Sequence, residues 1–180
     1  RNLNRREFIK KGAFGFLGLT AFNMILPITS KVASAFGVGE VEYRILGRTG
    51  LKVSSVSVGA MRMTDNAVLK RAIDLGINYV DTADCYQGGN NEIKVGEAIK
   101  EKRKDIILAT KVHVASETVM MKSLDTSLLR LGVDHIDIMQ LHNGSAQQIS
   151  NPDVIRILTK MKESGKIRFI GTSSHGDIPG

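Results

Sequence analysis

Cysteine is nearly absent. Of 180 residues only Cys85 is one, which excludes an intrachain disulfide and leaves no Cys/His metal cluster by sequence spacing. His113, His135 and His175 likewise have no metal-ligand partners at productive spacing, so a surface or substrate-loop role is expected of each and no metal site is anticipated. Cys85 itself reads as a small apolar side chain at a strand end, with a redox-sensitive thiol as the alternative. Tryptophan is missing and aromatic residues make up 5%. A glycine fingerprint is missing too. The segment after the first candidate sheet strand reads Gly59-Ala60-Met61-Arg62-Met63, which does not supply the G-x-G-x-x-G of a dinucleotide-binding open sheet. The hydrophobic fraction, 42%, is that of a globular chain without wholesale disorder.

The net charge of +7 invites a nucleic-acid reading, but its distribution opposes one. Residues 1–35 hold Arg1, Arg5, Arg6, Lys10, Lys11 and Lys31 against Glu7 alone. Most of the excess therefore sits in this leader, and no extended basic face is left for phosphate. Asn4-Arg5-Arg6-Glu7-Phe8-Ile9-Lys10 resembles the twin-arginine export motif. An apolar stretch follows from Gly12 to about Ile28, shorter than the roughly 20 residues of a spanning helix and weakened by glycines and Pro27. Ala33-Ser34-Ala35 then offers a small-residue cleavage site before Phe36. The expectation is a removable signal over 1–35, recognised by the twin-arginine translocation machinery. It would deliver residues 36–180 to the periplasm or cell envelope with no stable membrane span. An uncleaved anchor is the alternative.

Beyond the leader, Tyr43–Val53 reads as a β-hairpin around a glycine-containing turn. Val53–Val58 alternates Val with Ser and is expected as the first sheet strand. Helical spacing over 66–75 stops at Gly76. The unit then repeats: strand 77–82 and helix 91–101, strand 106–111 and helix 117–131, strand 136–141 and helix 152–164, strand 168–173. Pro152 suits the first turn of its helix. Met120 and Met121 are expected in the core, and Gly88–Asn91 as a turn.

Four of the apolar runs end in residues suited to proton transfer or hydrogen bonding. Ile77–Val80 ends in Asp81 with Tyr86 close behind, Ile106–Thr110 in Lys111, Ile136–Leu141 in His142, and Phe169–Thr172 in Ser173 and Ser174. Repetition of strand, functional group and helix indicates a parallel α/β fold whose site lies at the carboxyl ends of its strands. Functional groups on nearly every strand favour a closed (β/α)8 TIM barrel over an open sheet, which concentrates its site at one switch point.

The run Gly76-Ile77-Asn78-Tyr79-Val80-Asp81-Thr82-Ala83-Asp84-Cys85-Tyr86, with Asn91, Glu92 and Gly96 following, resembles the aldo-keto reductase signature. The opening hairpin, Ala109-Thr110-Lys111, Leu141-His142-Asn143 and Gly165–Ser173 are similar to further family motifs, in order and at family spacing. The resemblance implies an NADP-linked oxidoreductase barrel that reduces aldehydes or ketones with NADPH (or NADH). Tyr86 matches the proton donor. A free tyrosine ionises near pH 10, and a neighbouring ammonium stabilises its anion, the role implied for Lys111. Asp81 would orient Lys111 and adjoin the cofactor, His142 would polarise the small carbonyl substrate, and Ser173 and Ser174 would hold the nicotinamide amide. The family's commoner pair there is Ser-Asn, so Ser174 is a departure. Asp84 reads as a loop residue.

A barrel of this type typically runs to about 250 residues, against 180 here. The expectation is an N-terminal part over 36–180, reaching about strand five and exposing unpaired edges. The four catalytic positions would assemble locally while cofactor binds weakly or not at all. A cofactor-sensing binding subunit and a catalytically silent fragment are the other classes. Some exported members of the family continue into a C-terminal iron–sulfur segment, which would lie beyond Gly180.

Overall fold

The computed structural model describes residues 40–176. The expected signal over 1–35, including Arg5 and Arg6, lies outside the described residues.

The chain opens with the expected hairpin. Strands β1 (Tyr43–Ile45) and β2 (Lys52–Ser54) pair antiparallel, Tyr43 opposite Ser54 and Ile45 opposite Lys52. A short 3-10 turn over Gly47–Thr49 closes at Gly50, whose φ of 71° is left-handed and suits a residue without a Cβ. The strand expected over Val53–Val58 is divided. Its first part is β2, and the parallel sheet begins only at β3 (Val58–Gly59). Asn78 accounts for the division: its Oδ1 accepts from Ser54 N at 2.7 Å, while its own N donates to Ser54 Oγ at 3.1 Å. Ser54 Oγ also donates to the Val56 carbonyl at 2.6 Å, turning the chain away from β2. Local alternation carries no trace of a partner 24 residues away.

Five parallel strands then follow in chain order: β3, β4 (Tyr79–Asp81), β5 (Ile107–Val112), β6 (Ile136–Leu141) and β7 (Ile167–Thr172). Val80 sits opposite both Val58 and Leu108, Lys111 opposite Gln140, and Leu141 opposite Thr172. Helices α1 (Asn66–Asp74), α2 (Asn90–Ile99), α3 (Glu117–Leu131) and α5 (Pro152–Glu163) connect the strands. Asp65 caps α1 by accepting from Ala67 N at 2.8 Å. Gly132 ends α3 at φ 65°, and Pro152 opens α5 behind its Asn151 cap. A further short helix, α4 (Ala146–Ile149), was not expected. Its cause is a capping box in which Ser145 and Gln148 satisfy each other's backbone N–H groups. Asn90 and Asn91 also belong to α2 rather than to a turn, and Lys100–Asp105 continues past α2 as a 3-10 segment.

The main core lies between the sheet and the helices. Leu108 and Met139 from the strands meet Leu69, Val95, Ile99, Met120, Leu124 and Met161 from the helices. Burying such side chains contributes about 1.5–3 kcal/mol each. A second cluster joins Leu51 and Val53 of the hairpin to Ala109 and Ile138 of the sheet. Among the described residues no helix is long and apolar enough to cross a membrane.

Candidate active site

Parallel pairing brings Asp81 at the end of β4 beside β5, where Asp81 faces Ala109 and Lys111 follows two residues on, on the same face. Lys111 is only 5% exposed. Its ammonium lies 2.5 Å from Asp81 Oδ1 and donates to the Thr82 carbonyl at 2.7 Å. A buried ammonium without such partners would be costly; here it carries a counter-charge and a carbonyl acceptor. The same Nζ stands 4.9 Å from the centroid of the Tyr86 ring, and Tyr86 in turn meets the His142 ring edge-on at 5.7 Å. Asp81, Tyr86, Lys111 and His142 thus form one cluster from the ends of β4, β5 and β6.

His142 is half-buried. Burial first, then the charges of His113 and Lys111, lower its pKa, while Asp84 and Asp81 oppose the shift. The ring is therefore neutral near pH 7 and keeps one N–H to donate.

The loop that carries Tyr86 is held by several long-range bonds. Asn91 accepts from Thr82 Oγ1 at 2.6 Å and donates to the Ala60 carbonyl at 2.7 Å. Glu92, fully buried, accepts from Thr110 Oγ1 at 2.8 Å, with Arg130 at 3.5 Å on its other oxygen. Arg130 also donates to the Asp84 carbonyl at 3.1 Å. Gln87, at φ 52°, donates to the Met61 and Met63 carbonyls, tying the β3 loop to the Tyr86 turn.

Ser173 lies at the end of β7, where its hydroxyl accepts from Asn143 N at 3.1 Å and lies 3.3 Å from the Leu141 carbonyl. The Ser174 hydroxyl engages the Gly176 carbonyl within its own turn. Asn143, at φ 52°, accepts from His175 N at 3.2 Å through Oδ1. It supports the Ser173 turn, a role that sequence reasoning missed and that its position after His142 alone does not signal. Asn143, Ser173 and Ser174 make a neutral set of donors and acceptors that follows His142 and β7. That chemistry fits the carboxamide of a nicotinamide ring.

His113, exposed in keeping with a surface role, and Cys85, also exposed, both adjoin His142. His113 stacks on His142 at 4.5 Å between ring centroids, and its Nδ1 is 3.7 Å from Asp84 Oδ1. Cys85 Sγ is 3.5 Å from His142 Nδ1. Potential ligand atoms of Asp84, Cys85, His113 and His142 all lie within 4.8 Å of one another. Spacing along the chain could not reveal this group, because its members come from three separate strand ends.

The fold and site define a parallel α/β protein of the TIM-barrel type with its functional groups gathered at the carboxyl ends of strands. Residues 31–178 match the Aldo/keto reductase family, and the chain belongs to that family. It is 38% identical to the uncharacterized oxidoreductase YqkF of Bacillus subtilis, with 73% of this chain and 48% of that protein covered. It is 39% identical to L-galactose dehydrogenase of Arabidopsis thaliana, covering 73% and 48% respectively. The putative voltage-gated potassium channel subunit beta of Schizosaccharomyces pombe is 35% identical, covering 74% and 45%. Among solved structures, the holo form of aldo-keto reductase AKR11C1 from Bacillus halodurans superposes with a TM-score of 0.66 at 38% identity, over 75% of this chain and 51% of that one. An aldo/keto reductase from Klebsiella pneumoniae in complex with NADP and acetate gives 0.62 at 29%, over 71% and 48%. The chain spans about half the length of the curated relatives it matches.

Proposed function

We propose that the protein is an NADP(H)-dependent oxidoreductase that reduces an aldehyde or ketone to the alcohol. The observation that carries this reading is the Lys111 ammonium, shared between Asp81 Oδ1 at 2.5 Å and the Tyr86 ring at 4.9 Å. When bound, the nicotinamide dinucleotide supplies the hydride. Tyr86 gives its phenolic proton to the carbonyl oxygen, and Lys111 stabilises the phenolate that develops. Asp81 holds the ammonium beside that ring. Neutral His142 donates a ring N–H to the carbonyl oxygen and orients it toward Tyr86. Ser173, Ser174 and Asp81 would hold the nicotinamide end. The Klebsiella pneumoniae relative solved with NADP supports NADPH as the reductant.

Steady-state NADPH oxidation with a panel of aldehydes tests the reading. Tyr86→Phe is expected to lower kcat about 10²–10⁴-fold, the usual span for a general acid, with NADPH affinity retained. The similarity to a channel subunit beta favours a second reading, a cofactor-sensing binding subunit. NADPH binding without turnover by the wild-type protein would select it. A folded protein with neither property would be a catalytically silent fragment.

Export is part of the proposal. Arg5-Arg6 with Phe8, Ile9 and Lys10, ahead of Ala33-Ser34-Ala35, support recognition by the twin-arginine machinery and delivery to the periplasm or cell envelope. Residues 1–35 fused to a folded fluorescent reporter should direct it out of the cytoplasm. Replacing Arg5 and Arg6 by Lys should retain it inside.

A further inference from the structure

We propose that Asp84, Cys85, His113 and His142 form a binding site for a zinc-class divalent cation, set beside the catalytic cluster and sharing His142 with it. Four ligand atoms of two imidazoles, a thiol and a carboxylate fall within 4.8 Å of one another. In a tetrahedral zinc site, bond lengths of about 2.0–2.3 Å put ligand atoms roughly 3.3–3.6 Å apart. Two pairs already stand close to that spacing: Cys85 Sγ to His142 Nδ1 at 3.5 Å and His113 Nδ1 to Asp84 Oδ1 at 3.7 Å. The remaining separations are at most 4.8 Å, and Cys85 and His113 are both exposed.

Asp84 supplies an independent observation. Its Oδ1 is buried and has no hydrogen-bond partner, whereas Oδ2 accepts from Ser123 Oγ at 2.7 Å. The backbone of the same residue is anchored by Arg130. One carboxylate oxygen is thus held from behind and the other is left unsatisfied, facing His113. Metal ligands are commonly supported in this way by an outer hydrogen bond, and an orphaned buried oxygen calls for a partner.

The donor set selects the ion. Magnesium and calcium require oxygen ligands, while imidazole with thiolate suits zinc. On binding, the Cys85 thiol loses its proton to solvent and no electrons are exchanged. Asp84 and the Cys85 thiolate then balance the two charges of the cation, and Lys111 stays neutralised by Asp81. Metal binding needs no turnover to be true. Only its consequence, that an occupied site fixes His142 and inhibits carbonyl reduction, rests on the proposed function.

The test is a cobalt(II) titration of the protein followed by zinc competition. One equivalent of cobalt should give a thiolate-to-cobalt charge-transfer band in the near ultraviolet, with intense visible bands of four-coordinate geometry, and zinc should bleach both. Cys85→Ser should abolish the charge-transfer band, and His113→Gln should weaken zinc binding at least about ten-fold by calorimetry, as loss of a metal-site group does. Both residues are exposed, and circular dichroism verifies that each variant is folded. Weak six-coordinate cobalt spectra, or equal zinc affinity in wild type and both variants, would overturn the site. Tight binding with unchanged NADPH oxidation would overturn the inhibitory consequence and leave the site standing.

Discussion

The Cβ that Gly96 lacks would lie 2.3 Å from the carbonyl oxygen of Leu131. Helices α2 and α3 therefore meet backbone to side-chain-free backbone, at the level that fastens the Tyr86 loop. Gly96→Ala cannot be absorbed by a flexible neighbour, because the obstacle is main chain. The variant should lose about 1–3 kcal/mol of stability, as overpacking does, or more if the helices cannot separate. Urea denaturation measures this, and an unchanged midpoint would refute the close packing.

Glu92 makes stability depend on pH. Burial, the largest influence, raises its pKa above the ordinary 4.5, although the Thr110 hydroxyl and Arg130 oppose the shift. Between 4.5 and the raised value the native state holds a proton that the unfolded chain has released. Stability from this group is present below 4.5 and is lost as pH rises through that window. Glu92→Gln keeps the shape and removes the titration. The difference in denaturation midpoint between wild type and variant should move in the variant's favour as pH rises from about 4 toward neutrality. A difference constant with pH would count against a raised carboxyl.

Lys111→Met separates chemistry from stability. Loss of the ammonium should lower kcat about 10²-fold or more and cost about 3 kcal/mol by leaving Asp81 without its counter-charge. Adding Asp81→Asn should restore much of the stability and none of the turnover. Recovery of kcat in the double variant would contradict the role given to the pair.

Asp137 is a further buried charge centre. Its oxygens lie 3.0 Å from Arg103 Nη2, 2.5 Å from Arg168 Nη1 and 3.0 Å from Leu108 N. Asp137→Ala removes the counter-charge of the largely buried Arg103 guanidinium and the acceptor of the Leu108 N–H. The cost should be about 3–5 kcal/mol, with no direct effect on NADPH affinity. Thermal denaturation and a cofactor titration together check both halves.

Much of the architecture was legible because its signals are local. Apolar runs alternating with helical periodicity marked four of the five parallel strands, and Gly132, Gly165 and Pro152 marked helix ends through backbone conformation alone. The first strand differs from its expected span because alternating Val and Ser looks the same in a hairpin as in a parallel sheet. The bonds of Ser54 with Asn78 and with the Val56 carbonyl separate the two. The short helix α4 is signalled in the sequence by its Ser145 and Gln148 capping pair alone.

Residue type and chain position marked Asp81, Tyr86, Lys111 and His142 in advance, because parallel strands carry their last residues to a common end. The sequence could not show which side chains touch there. The 2.5 Å contact of Lys111 with Asp81, the stacking of His113 on His142, and the approach of Cys85 to His142 depend on strand register and helix packing. Folding sets those through burial summed over the whole core, so no local run of residues encodes them.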